Sequence, residues 1–111
     1  MANTFKLKTK TGIGTSATTV YTADTGSLSS TIIVGLVCSN TTASAIEADV
    51  QIENNDGDNI YVVKVAPIPA KSALETLGGG KMVLEASDLI KVTSSAASSI
   101  DVALSIMEIT S

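Results

Sequence analysis

Ile46–Glu53 reads IEADVQIE, with Ile46, Ala48, Val50 and Ile52 at alternate positions against Glu47, Asp49, Gln51 and Glu53. Successive side chains of an extended strand point to opposite faces, so a period of two with one apolar and one polar set predicts a half-buried antiparallel strand. The same alternation recurs at Ile100–Ile106, where Ile100, Val102, Leu104 and Ile106 oppose Asp101, Ala103 and Ser105. Between the two firm strands and ahead of them lie TTVYT (Thr18–Thr22), NIYVVKV (Asn59–Val65), ALETL (Ala73–Leu77), KMVLE (Lys81–Glu85) and LIKVT (Leu89–Thr93). The run TIIVGLVC (Thr31–Cys38) is apolar on both faces, with Ile32, Val34, Leu36 and Cys38 expected on one side and Ile33 and Val37 on the other. That pattern predicts a central strand whose outer face is also covered.

Turn chemistry separates these segments. ADTG (Ala23–Gly26), NNDGDN (Asn54–Asn59), the Pro67/Pro69 pair, GGG (Gly78–Gly80) and ASD (Ala86–Asp88) supply the Gly, Pro, Asn and Asp that chain reversal requires. NNDGDN lies between two strand patterns and marks a hairpin. No window of helical length carries a 3.6-residue apolar stripe. The expectation is one all-β domain, an antiparallel sandwich of about eight strands, jelly-roll or immunoglobulin-like.

The first 14 residues differ from the rest. Phe5 and Leu7 alternate with Lys6, Lys8 and Lys10, and GIGT follows. Residues 1–14 are therefore expected to form an extended N-terminal arm and residues 15–111 the sandwich. Three of the seven lysines lie in the arm, which leaves four against all 11 carboxylates, a net of −7, on the body. A basic, Phe-tipped arm on an acidic body suits strand addition to a neighbour's sheet edge, so Phe5, Lys6, Leu7, Lys8 and Lys10 are the candidate interface.

Composition excludes most chemistry. The 111 residues include 14 Ser and 14 Thr, one Cys, one Phe and two Tyr, and no Arg, His or Trp. Without histidine there is no imidazole base and no ordinary zinc or copper ligand, and a lone cysteine makes no intrachain disulfide. Net charge −4 without an arginine gives nucleic acid an unfavourable field. The longest apolar run, Ile32–Cys38, is far short of a spanning helix, and the start lacks a signal-peptide core, so a chain made in the cytoplasm with no membrane partner is expected. The charged fraction of 16% is low, with Ser and Thr in its place. Such a surface repels its own copies weakly, which predicts self-association into a cyclic oligomer, a trimer being the expected order.

The remaining candidate sites read as structure. Asn54, Asp56 and Asp58 alternate oxygen ligands, but the bidentate glutamate of a calcium loop is missing and the segment enters a strand. Cys38 is in phase with apolar neighbours and has no base to activate it. Glu47 with Asp49, or Asp56 with Asp58, fall on an exposed strand face and a turn, without the aromatic residues of a sugar cleft. Gly78–Gly80 is followed by a strand pattern, where a phosphate loop needs a helix. No catalytic residue, cofactor or metal site is expected.

VYTA (Val20–Ala23), IIVGLVCSNTT (Ile32–Thr42), LGGGKMVLEASDLIKV (Leu77–Val92) and IDVALSIMEIT (Ile100–Thr110) together resemble small β-sandwich virion proteins of tailed bacteriophages. The resemblance covers nearly everything after the arm. Ser87 departs from it, since Gly is commoner before the Asp of that turn. The resemblance implies a non-enzymatic virion protein: a capsid decoration (cement) protein bound to the major capsid protein lattice, or a neck, tail or fibre-base subunit. A carbohydrate- or ligand-binding sandwich module is the reading from a different class, and it needs an aromatic-lined concavity.

Overall fold

A computed structural model describes residues 2–23, 28–54, 57–77 and 80–110. They form nine strands: β1 (Ala2–Ile13), β2 (Thr18–Thr22), β3 (Leu28–Asn40), β4 (Ile46–Glu53), β5 (Asn59–Ile68), β6 (Ala73–Glu75), β7 (Met82–Leu84), β8 (Leu89–Ser94) and β9 (Ile100–Thr110). The expected strands are all present, and the expected arm adds a ninth.

The strands make two antiparallel sheets. One has the order β1-β9-β3-β6, with β7 also on β3, beyond β6 along the same edge; the other has the order β2-β8-β4-β5. The alternating sets of β4 and β9 face each other across the interior: Ile46, Ala48, Val50 and Ile52 from one sheet, Ile100, Val102, Leu104 and Ile106 from the other, all buried. Burying each Ile, Val or Leu of these sets contributes about 1.5–3 kcal/mol, so the alternation fixes which face of each sheet turns inward. The 45 Å long axis matches the reach of the 13-residue β3 at ~3.3 Å per residue.

Hairpin chemistry placed one pairing correctly. β4 runs into β5 through the Asn54–Asp58 turn, with Glu53 opposite Asn59. There the Asn54 side-chain oxygen accepts from the Asp58 N–H at 2.9 Å and ties the two ends of the turn together. Asn55 and Asp56, and so part of the candidate calcium loop, lie outside the described residues, as do most of the expected 23–26 and 78–80 turns.

Three expectations change. The inward set on β3 is not Ile32, Val34, Leu36 and Cys38; it is Thr31 and Ile33, then Leu36, Cys38 and Asn40. The register against β9 shifts between Ile33 and Gly35, and this bulge inserts one residue and reverses the phase on its N-terminal side. Ile32 and Val34 therefore turn outward, and among the described residues nothing covers Val34, which is exposed. Secondly, Pro67 lies inside β5 and not in a turn. β5 is an edge strand, where a residue without an N–H costs no ladder bond.

Thirdly, residues 2–13 are extended but do not reach away from the body: Ala2–Lys10 pair with Thr110–Val102 of β9 without a break, and Ile13 is buried. A long strand finds its best backbone partners on an adjacent open edge, and the β9 edge is open.

Candidate functional site

The register of β1 sorts the five candidate interface residues onto two faces. Lys6, Lys8 and Lys10 lie opposite Ile106, Leu104 and Val102, so they occupy the inward face of the sheet at its open margin; Phe5 and Leu7 lie opposite Met107 and Ser105 on the outer face. Side chains directly opposite in an antiparallel pair share a face. Inward-pointing lysines on an edge strand are a known obstacle to unspecific edge pairing.

Inside the margin, Lys6 Nζ is 2.7 Å from Glu108 Oε1, and the Tyr21 hydroxyl donates to Glu108 Oε2 at 2.7 Å. The Thr31 hydroxyl, 3.0 Å from the Tyr21 oxygen, completes the chain of bonds. The Lys6 hydrogen bond, then that of Tyr21, hold the Glu108 carboxyl below its ordinary pKa, against an opposing effect of burial. Lys6, Lys8, Glu108, Val20, Tyr21, Thr22 and Ala23 line a groove of about 560 Å³ between the β1 and β2 margins. Among the described residues the groove holds one carboxylate, already paired, and one phenol. That is neither the pair of carboxylates that glycoside hydrolysis uses nor the aromatic platform of a sugar site.

The other candidate groups are occupied structurally. Asp49 Oδ1 accepts the Val65 N–H at 2.7 Å and caps a bulge in β5 where Val65 has φ 54°. Cys38 is fully buried, and burial first, then the Glu75 carboxylate, pushes its thiol up to about 12, so it stays protonated. Among the described residues no three His, Cys, Asp or Glu side chains converge as metal ligands. Nor is any helix there long and apolar enough to cross a membrane.

Outside the margin the two sheets present opposite surfaces. The outer face of the β2-β8-β4-β5 sheet carries Glu47, Asp49, Glu53, Lys91 and Lys64, with Lys91 paired to Glu53 at 3.2 Å and Lys64 over the Tyr61 ring. On the outer face of the β1-β9-β3 sheet the described strand positions carry two carboxylates, Asp101 and Glu75, at one end. Both accept backbone N–H groups, from Gly12 and from Leu36 and Leu77. Toward the other end one cross-strand row is wholly apolar: Phe5 opposite Met107, Met107 opposite Ile32, Ile32 opposite Val83. Phe5 is 74% exposed, Val83 62% and the neighbouring Leu7 64%. Exposed Phe5 and Val83 flank half-buried Met107 and Ile32, so the row is an apolar patch that crosses four strands.

Composition pointed to the arm but not to the other three members of the row. Met107 and Glu108 do carry a signal, since after Ile106 the alternation of β9 inverts, with an apolar residue at an outer position and a charge at an inner one. Ile32 was assigned inward because the bulge has no local signature, and the orientation of Val83 depends on its partner.

No family model and no curated protein matches the sequence. A solved structure does share the fold. A subunit of Bacillus endospore appendages, a family of disulfide-linked pili, superposes with TM-score 0.57 at 13% identity over 99% of this chain and 88% of its own. Infectious bursal disease virus structures also match: the Gx strain at TM-score 0.45, 13% identity, 94% of this chain and 33% of the viral one. The VP2 subviral particle matches at 0.35, 15%, 97% and 42% respectively. At 13% identity the likeness to the appendage subunit is one of fold, an all-β two-sheet sandwich.

Proposed function

We propose that this chain is a non-enzymatic structural subunit of a virion or comparable surface assembly, and specifically a capsid decoration protein of a tailed bacteriophage. In that role it stabilises the head by binding the major capsid protein lattice. The observation that carries the structural role is the apolar row Phe5, Met107, Ile32 and Val83 on the outer face of the β1-β9-β3 sheet, exposed at Phe5 and Val83 and away from the carboxylates Asp101 and Glu75. A face of that kind is stable in water when a neighbour covers it. The strand order supports reading the sandwich as a jelly roll. In both four-strand paths, β1-β9-β3-β6 and β2-β8-β4-β5, early strands alternate with late ones, as two nested Greek keys require, and capsid domains use that plan. The candidate arm residues belong to this surface: Phe5 and Leu7 supply contact area, and Lys6 and Lys8 stay at the margin. The assembly is a homo-oligomer on the particle and needs neither nucleic acid nor membrane.

Copy number in purified particles tests the reading. A quantified gel is expected to show hundreds of copies per particle. Six, twelve or a few dozen would move the chain to the neck, tail or fibre base, and absence from particles would overturn the virion role.

A further inference from the structure

Each sheet has two margins, and they differ in their capacity to add a strand. β6 and β7 are three residues each, and β2 is five with a register shift between Thr19 and Tyr21. β5 is longer, but its register shifts twice against β4, Val65 is left-handed and Pro67 has no N–H to offer. β1 alone is long and regular. From Ala2 to Lys10 it pairs with β9 at every residue, and among the described residues no strand pairs with its other side. A regular, proline-free edge of this length templates another strand unless charge forbids it.

We infer that two copies of this chain join through their β1 edges, antiparallel, around a two-fold axis centred on Phe5. The inference rests on the self-association proposed above and specifies its contact. A two-fold axis perpendicular to the sheet keeps inward residues opposite inward ones, so the axis passes through a residue pair. Centred on Lys6 it sets Lys6 against Lys6 of the partner subunit; centred on Leu7 it sets Lys6 against Lys8 of the partner subunit. Like charges directly opposite each other are repelled. Centred on Phe5, residues 2–8 overlap, Lys6 meets Thr4 of the partner subunit and Lys8 meets Ala2 of the partner subunit. This is the longest overlap free of opposed lysines, and each Lys6 is already neutralised by its own Glu108. The same register sets Phe5 against Phe5 of the partner subunit, so the apolar row Val83, Ile32, Met107, Phe5 continues unbroken into the second copy. The inward lysines thus select one register and do not merely block the edge.

Disulfide trapping on the full chain tests the pairing, since Cys38 is buried and does not compete. Residues directly opposite in antiparallel strands have Cα atoms about 4.5–5.5 Å apart, within disulfide reach. Phe5→Cys is expected to give a covalent dimer under mild oxidation. Leu7→Cys alone is expected to stay uncrosslinked, and Asn3→Cys with Leu7→Cys to crosslink. As a measurement free of cysteine, sedimentation should show Thr4→Lys weakening the dimer roughly tenfold and Thr4→Glu tightening it, with Thr9→Lys neutral because it lies outside the overlap. A trimer, or crosslinking through Leu7→Cys alone, overturns this pairing and leaves self-association standing. A monomer at every concentration overturns both the pairing and self-association in solution, and the copy number in particles then judges the structural role separately.

Discussion

Ser87 holds φ 75° in the turn between β7 and β8, a conformation in which a Cβ is strained. The turn is fastened on both sides: the Asp88 side chain accepts the Glu85 N–H at 2.9 Å, and the Ser87 N–H reaches the Ala23 carbonyl at 3.0 Å. Glycine at this position removes the strain and leaves those bonds intact, so Ser87→Gly is expected to stabilise the fold by about 0.5–1 kcal/mol, read as a rise of several degrees in Tm. Asn40 works in the opposite sense. It is buried at the end of β3, donates to the carbonyls of Ser44, Ile68 and Pro69, and accepts from the Thr42 N–H and hydroxyl. One side chain thus satisfies the loops after β3 and β5. Asn40→Ala removes all these bonds, with the Thr42 hydroxyl still on the Ser44 carbonyl and the Ser72 N–H still on that of Pro69, and is expected to cost about 2 kcal/mol in chemical denaturation.

At the scale of elements, β1 is where a reading from composition and a reading from pairing give different forecasts. A free arm can be removed without cost. A strand bonded to β9 from Ala2 to Lys10 and anchored by buried Ile13 cannot, because its loss bares the β9 edge and part of the interior. Deleting residues 1–14 is expected to lower Tm by more than ten degrees or abolish the cooperative transition. A melt unchanged by the deletion would restore the free arm. Element boundaries were legible wherever the cause was local: β4 lies where its alternation placed it, β2 coincides with TTVYT, and the β4–β5 hairpin follows from Asn54 and its turn. The β3 bulge was not legible, since Val34 and Gly35 look like any apolar pair and only the register against β9 decides which of them is extra.

For the molecule as a whole, the margin between β1 and β2 is where the two sheets are tied by charge. Glu108 on β9 reaches Lys6 on β1 in its own sheet and Tyr21 on β2 in the other. Its carboxyl pKa is lowered on folding, so the folded state gains from the ionised form above the unfolded value of ~4.3 and loses that gain as pH falls through the lower folded value. Wild-type stability is expected to fall over that acidic window. Glu108→Gln is expected to be less stable at neutral pH and to converge on wild type as pH drops, measured as urea midpoints across pH. A constant gap between the two at all pH values would remove Glu108 from the acid response. The effect is modest, because exposed Lys6 is screened by solvent.

What the sequence by itself determined is whatever one strand or one turn can express: the all-β class, the alternating faces of β4 and β9, the hairpin at Asn54, and the lack of a histidine or a reactive thiol. What only the tertiary structure decided is which strands are neighbours. Apart from β4–β5, every pairing joins strands that are not consecutive in the chain, so the partner of β1, the outward turn of Ile32 and the row from Phe5 to Val83 follow from register between distant segments. Side-chain alternation assigns each residue to one of two faces; it takes a partner strand to say which face meets the core and which meets water.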